Sequence, residues 1–140
     1  MMSKIKYPIH GACQCGQVTY QLMAAPFLIA ACHCRQCQKL STSAFSITAM
    51  VNACDFKISG IMKEWQRLSD NGNTNCAKYC VECGNRIFHY NPEQPDIIKL
   101  KPSTLSDTRV IKPTMHIWVS EKQAWFTLPD DVECFDKQPF

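Results

Sequence analysis

Apolar and polar positions alternate over many short stretches of the chain, and no long stretch repeats with helical spacing. Residues 17–22 place Val18, Tyr20 and Leu22 on one face and polar side chains on the other, which predicts a half-buried strand. Further strands are predicted over residues 27–31, 44–49, 55–58, 64–69, 77–79, 86–90, 96–100, 115–119 and 124–127.

Turn residues separate these strands, and helical signals are few. Residues 70–73, with the sequence DNGN, predict a tight turn, and a short helix is predicted over 35–41. Many short strands with turns between them predict a mainly β fold, a sheet sandwich or an open barrel, built as one domain over residues 1–140. Trp65, Trp118 and Trp125 are predicted to be core aromatics, one of which could form the wall of a pocket.

Ten cysteines in 140 residues set this chain apart from an ordinary globular protein. Residues 1–10 carry lysines but no apolar stretch or cleavage signal, so no signal peptide is expected, and no apolar run is long enough to span a membrane. We therefore expect a cytoplasmic protein. Thiols remain reduced there, and this favours metal binding over disulfides.

The formal net charge of +3 does not predict a nucleic-acid-binding protein. Lysines and arginines are scattered, without a basic run. Seven thiolates on two divalent ions would bring the charge to about zero.

Seven of the cysteines fall into three groups with the spacing of metal ligands. The N-terminal pair, Cys13 and Cys15, lies in GACQCG, and the C-x-x-C pair, Cys80 and Cys83, lies in CVECG. The central triplet lies in CHCRQC and consists of Cys32, Cys34 and Cys37. Zinc prefers such soft thiolate ligands, and closely spaced cysteines can reach one ion.

The simplest partition joins the two pairs into one four-cysteine site of the closed, structural type. The central triplet then provides three ligands and an open position, which is the general form of a catalytic zinc site. A rival partition joins the C-x-x-C pair with two cysteines of the central triplet and leaves the N-terminal pair without a metal. Spacing leaves both partitions open.

The other cysteines and the histidines have plainer interpretations. Cys54, Cys76 and Cys134 lack metal-type neighbours and are expected to be buried or incidental thiols, with Cys76 the best candidate for an exception. The ring of His33 is expected to point away from the ion that its neighbours hold, in a packing role or in contact with substrate. His116 is interpreted as a hydrogen-bonded strand histidine.

Together these motifs resemble the glutathione-dependent formaldehyde-activating enzyme family over about residues 11–139. The resemblance rests on Gly11-x-Cys13-x-Cys15-Gly16, Cys32-His33-Cys34-x-x-Cys37, Cys80-x-x-Cys83-Gly84, His116-Ile117-Trp118 and Trp125.

The resemblance implies a β-tent fold and two zinc ions. Cys13, Cys15, Cys80 and Cys83 match the family's structural zinc ligands, and Cys32, Cys34 and Cys37 match its catalytic zinc ligands. The implied activity is that of a carbon–sulfur lyase, which joins formaldehyde and glutathione to give S-hydroxymethylglutathione. The partners would then be a small thiol and an aldehyde, with no nucleic acid and no membrane.

Two functions remain open at this point. In the first, the central triplet's zinc holds a thiolate, because three anionic sulfurs make that ion a poor Lewis acid for polarising a carbonyl. In the second, the chain is a non-catalytic zinc-stabilised β-scaffold that binds a protein or, less readily, nucleic acid, since β-tent folds include interaction modules.

Overall fold

The computed structural model of the chain describes residues 5–139. Both ends of the predicted domain, residues 1–4 and 140, lie outside this range, as does the start of the segment 1–10 expected not to be a signal peptide. The strands are β1 (Ile9–Ala12), β2 (Thr19–Leu22), β3 (Leu28–Cys32), β4 (Ser46–Asn52), β5 (Phe56–Ser59), β6 (Met62–Leu68), β7 (Thr74–Cys80), β8 (Arg86–Tyr90), β9 (Ile97–Leu100), β10 (Met115–Ile117) and β11 (Glu133–Cys134). The α-helix α1 spans Arg35–Ser41, and short 3-10 turns occupy Ala53–Asp55, Pro102–Thr104, Thr108–Val110 and Val119–Glu121.

The strands form two sheets, and the mainly β prediction is confirmed. One sheet has three antiparallel strands in the order β1-β2-β5. The other has eight strands in the order β11-β10-β3-β4-β9-β8-β7-β6, in which β10 runs parallel to both β3 and β11. In the part of the chain that the structure describes, neither sheet closes into a barrel.

The hydrophobic core lies between the two sheets. Val18, Tyr20 and Leu22 are at most 2% exposed, as the alternation predicts. They pack with Val51 and Leu100 from one face of the eight-stranded sheet. The opposite face of that sheet, which we call the outer face, carries Cys32 and its neighbours.

The local predictions hold for most elements. The helix has the predicted bounds, and the turn at residues 70–73 joins β6 to β7. Ser69 N donates to Asn73 O at 2.8 Å, and Gly72 has a φ of +85°, which suits a residue without a Cβ.

Two predictions are wrong. Residues 124–127 form no strand, because Phe126 N bonds back to Gln123 O in a turn and the Lys122 ammonium binds Phe126 O. Trp65 and Trp125 are not core residues, with 48% and 71% of their surfaces exposed. The space between the sheets is filled instead by aliphatic side chains and the Tyr20–Phe56 aromatic pair, whose ring centroids are 5.1 Å apart.

Within residues 5–139, none of the helices has the length and apolar character needed to cross a membrane.

Candidate metal centres

The N-terminal pair and the C-x-x-C pair come together at one end of the fold. Their four sulfurs all lie within 4.8 Å of one another, with Cys13 Sγ 3.6 Å from Cys15 Sγ and Cys15 Sγ 3.7 Å from Cys80 Sγ. The β1–β2 connection supplies the first pair, and the end of β7 with the following turn supplies the second. This four-cysteine cluster can hold a metal ion. It follows the simplest partition of the cysteines and not the rival one.

Backbone amides point at the sulfurs of the four-cysteine cluster. Val18 N donates to Cys13 Sγ at 3.3 Å, and Glu82 N donates to Cys80 Sγ at 3.4 Å. Such hydrogen bonds favour the thiolate that a metal requires. Gly16 and Gly84, each just after a cysteine pair, have φ of +81° and +76°, so the sharp turns suit glycine.

Gln17 reinforces the four-cysteine cluster in a way that sequence reasoning missed. Its Nε2 donates to Cys80 Sγ at 3.2 Å and to Ile61 O at 2.9 Å. Its Oε1 accepts from Ile61 N at 2.5 Å. The side chain therefore ties the first turn to the loop before β6. An isolated glutamine between two strands gives no signal of this role in the sequence.

The central triplet forms a separate group around the start of α1. The sulfurs of Cys32, Cys34 and Cys37 lie within 4.8 Å of one another. Cys32 ends β3, Cys34 caps the helix, and Cys37 lies in its first turn, where its backbone N donates to Cys34 Sγ at 3.3 Å. Within residues 5–139, no further histidine, cysteine or carboxylate ligand joins the group.

The central triplet is built to stabilise a thiolate at its middle. Hydrogen bonds from the side chains of Cys32 and Cys37, and from the backbone of Cys37, hold the pKa of Cys34 well below its ordinary range. Because the Cys32 thiol donates in these hydrogen bonds, its own pKa is raised. Three close sulfurs with this charge distribution fit a thiophilic divalent cation.

Gln38 fixes α1 and with it two of the triplet's sulfurs. The side chain is 5% exposed, and its Nε2 donates to His33 O at 2.7 Å and to Glu121 O at 3.0 Å. Arg35 N also donates to Glu121 Oε1 at 2.7 Å. The helix is therefore anchored from both β3 and the 3-10 turn Val119–Glu121.

His33 points away from the sulfurs and packs on the other side of β3. Its Nε2 lies 2.8 Å from His116 Nδ1, and Phe45 and Phe126 surround the ring with centroids 5.1 and 5.4 Å away. Burial, together with the charges of His116 and Lys122, lowers the pKa of His33 to about 4. The structure thus gives His33 the packing role and His116 the role of a hydrogen-bonded strand histidine.

Lys101 lies beside the central triplet on the outer face and was not singled out by the sequence. Its Nζ donates to Ser46 Oγ at 3.0 Å and to Thr48 Oγ1 at 2.9 Å. Ser46 is the strand partner of Cys32. Burial lowers the pKa of Lys101, and the negative charges of Cys37 and Cys32 act in the opposite direction.

The remaining candidates lie apart from both clusters. Cys54 and Cys134 are exposed and Cys76 is buried, and none of them joins a metal-binding group. Trp125 lines an open groove beside α1, together with Arg35 and Lys39. It therefore forms the wall of a pocket, although it is not a core residue.

The chain is similar to a known protein family in sequence and to a solved structure in fold. The sequence model of a family described as "Glutathione-dependent formaldehyde-activating enzyme" matches residues 8–121. A crystal structure of a Rhodobacter sphaeroides protein is similar in fold, with a TM-score of 0.53 and 18% identity, over 70% of this chain and 88% of that one. No curated protein sequence matches the chain.

Proposed function

The chain belongs to the glutathione-dependent formaldehyde-activating enzyme family, and from this premise we propose that it is a zinc-dependent carbon–sulfur lyase. It joins a small thiol such as glutathione to an aldehyde such as formaldehyde, or carries out the reverse reaction. The family's description names both compounds. The observation that carries the proposal is the central triplet, three close sulfurs without a fourth protein ligand within residues 5–139.

The proposal assigns one zinc ion to each cysteine group. Cys13, Cys15, Cys80 and Cys83 would form a closed structural site, and Cys32, Cys34 and Cys37 would hold a second ion with one open position. Bound there, zinc would lower the pKa of a substrate thiol and so supply a thiolate at neutral pH. All seven ligands must be reduced cysteines rather than disulfides, so we expect the enzyme in a reducing compartment such as the cytoplasm.

The proposed reaction is redox-neutral. A carbon–sulfur bond forms between the thiol sulfur and the aldehyde carbon, the carbonyl electron pair moves onto oxygen, and the proton lost by the thiol ends on that oxygen. The chain's own part is to orient the reactants. Cys32 is fixed by β3, Cys34 and Cys37 by α1, and Gln38 holds that helix in place. His33 is 0% exposed and lies on the other side of β3, so it does not contribute a base.

Isotope-exchange NMR between formaldehyde and glutathione tests this function, because the uncatalysed reaction sets a measurable background. We expect the purified chain, holding two zinc ions, to accelerate exchange into S-hydroxymethylglutathione. Cys34→Ser should return the rate to background, whereas Cys54→Ser, which changes an exposed thiol outside both clusters, should not.

The binding step can be observed separately. With cobalt in place of zinc, the cobalt–thiolate absorption bands should change when a small thiol is added, and Cys34→Ser should abolish the change. Background exchange rates with every thiol and aldehyde tried, from protein that holds two metal ions, would contradict the enzyme assignment.

A further inference from the structure

A row of basic side chains crosses the outer face of the eight-stranded sheet next to the central triplet. We call this row the basic face; it consists of Arg67, Arg86, Lys99 and Lys101. Each of these residues is partly buried. Neither metal-binding group includes them. Arg67 lies on β6, Arg86 begins β8, and the two lysines lie on β9 and just after its end.

The strand register places these side chains on the same side as Cys32. Residues directly opposite each other in an antiparallel pair point to the same face. Trp65 pairs with Ala77, Ala77 with His89, and His89 with Lys99, which in turn pairs with Met50. On the neighbouring strand, β3, Cys32 lies four residues after the residue that pairs with Met50. Side chains an even number of residues apart in a strand point to the same face, so Cys32 shares the face of Met50 and Lys99.

A β-bulge brings Arg86 to this face as well. Arg86 and His89 are three residues apart, and in a regular strand they would point in opposite directions. The register of β7 and β8 shifts between Lys78 and Tyr79, so Tyr79 pairs with Arg86 and the extra residue is Ile87. Arg86 Nη1 therefore lies 3.3 Å from His89 Nε2, while its guanidinium stacks over the Trp65 ring at 5.4 Å.

The basic face carries positive charge without a carboxylate partner. Within residues 5–139, none of its four cations forms a salt bridge with a carboxylate. The charge of the central triplet offsets little of this, since three thiolates on one divalent ion leave about one negative charge. Partly buried cations without partners are costly, and an anionic ligand would relieve that cost.

Some of the N–H groups on this face form no hydrogen bond with a protein acceptor. Two of the three N–H groups of Lys101 bind Ser46 and Thr48, which leaves the third. Arg86 is always protonated and donates to His89 Nε2, so the proton of neutral His89 is on Nδ1. His89 is 4% exposed, and burial first, then the surrounding cations, lowers its pKa to about 2, so this ring remains a neutral donor.

We propose that the basic face is the binding subsite for a carboxylate of the thiol substrate, with Lys101 and Arg86 as its principal contacts. The inference rests on the proposed function and deepens it, because it restricts the substrate to anionic thiols. Lys101 is two strand spacings from Cys32, about 10 Å between backbones, and Arg86 is one spacing further. A thiol with its carboxylate several bonds from sulfur, as in a small peptide, spans this separation.

Titration of the cobalt-substituted full-length chain with two thiols tests the subsite. Glutathione carries carboxylates and 2-mercaptoethanol is neutral, so the second thiol reports metal ligation alone. We expect Arg86→Gln and Lys101→Gln each to weaken glutathione binding about tenfold or more and to leave 2-mercaptoethanol binding unchanged. Lys57→Gln, an exposed lysine of the three-stranded sheet, is the matched control and should change neither.

If the variants bind both thiols more weakly by the same factor, the proposed subsite is overturned, because Lys101 and Arg86 would then only balance the charge of the cysteines. Unchanged affinities would overturn it too. If a variant fails to fold, the salt dependence of the wild-type chain decides: glutathione affinity should fall with ionic strength and 2-mercaptoethanol affinity should not.

S-Methylglutathione separates this inference from the proposed function, since it has the carboxylates but no free thiol. If neither thiol changes the cobalt bands, thiol ligation and the function built on it fail. Calorimetric binding of S-methylglutathione that Arg86→Gln weakens would still support the anion subsite, and the absence of such binding would overturn it.

Discussion

At the scale of single residues, Gln17 shows how one uncharged side chain can organise a cysteine cluster. Its amide contacts Cys80 Sγ and both backbone polar groups of Ile61. Groups that hydrogen-bond to metal ligands orient them and tune their affinity, and their loss typically weakens metal binding by about 10–100-fold.

Gln17→Ala should therefore weaken metal binding at the four-cysteine cluster by about tenfold and lower the free energy of unfolding by about 1 kcal/mol. Competition with a chromophoric chelator measures the first effect, and urea unfolding measures the second. Gln94→Ala removes an exposed glutamine side chain away from both clusters and should have neither effect. Wild-type chelator resistance in Gln17→Ala would show that its contact with Cys80 does not contribute.

At the scale of elements, β10 is only three residues long, and side chains help to hold it against β3. His116 of β10 and His33, just after β3, share a hydrogen bond inside the aromatic group formed with Phe45 and Phe126. Burial is the main cause that lowers the pKa of both histidines, to about 4 for His33. Both rings are therefore neutral in the fold at neutral pH.

Because the folded pKa of His33 lies below its ordinary value of 6.5, the unfolded chain binds more protons in this range. This stabilisation is complete above about pH 6.5 and is lost as the pH falls towards 4, at about 1 kcal/mol per pH unit. His116→Gln should give a shallower curve in urea unfolding between these values, since one titrating ring is gone. Acid protonation of the cysteines affects both proteins alike.

The exposed residue His10 supplies the control for this measurement, and His10→Gln should follow the wild-type curve. If His116→Gln and the wild type lose stability in parallel between pH 6.5 and 4, the histidine pair does not set the pH dependence.

The sequence predicts elements where a local pattern decides them. Alternation at Val18, Tyr20 and Leu22 reports burial directly, and cysteines two or three residues apart must lie close in space. The pairing of Cys13 and Cys15 with Cys80 and Cys83 was one of two partitions, since spacing carries no long-range information. The fold was needed to select it.

The basic face could not be predicted from the sequence, because its residues come together only through the pairing register of β6 to β9. Lys101 follows β9 and Arg86 begins β8, and nothing local relates either of them to Cys32. The bulge at Ile87 reverses the side to which Arg86 points, and two adjacent apolar residues in the sequence RIFHY do not by themselves specify a bulge. Trp65 failed as a core prediction for a related reason, since it lies on an edge strand and packs under Arg86 rather than between the sheets.

At the scale of the whole molecule, the two cysteine groups stand in different relations to the fold. The four-cysteine cluster joins segments 65 residues apart, and Cys13 and Cys80 belong to the hydrophobic core. The central triplet is local, within six residues of one chain segment. The first group should therefore matter for folding and the second for chemistry.

Cys80→Ser should unfold most of the chain or leave it short of metal, since the coordination energy of a structural zinc is also folding energy. Cys34→Ser should retain the fold, with one metal ion per chain instead of two. Circular dichroism with metal analysis measures both, and Cys134→Ser, an exposed thiol, should keep two ions. An unfolded Cys34→Ser, or a native Cys80→Ser with two ions, would reverse these roles.

The distance along the chain between Cys15 and Cys80 also has a consequence for biosynthesis. Five of the seven clustered cysteines leave the ribosome before Cys80 and Cys83 exist. At about 5–20 residues per second, the roughly 45 residues after Cys37 take about 2–9 s to make. During that interval the N-terminal pair and the central triplet are the only thiols of their kind on the nascent chain, and together they can capture one ion in a non-native group. Correct allocation then requires ligand exchange as β7 and β8 form, so the supply of free metal during translation can influence the yield of native protein.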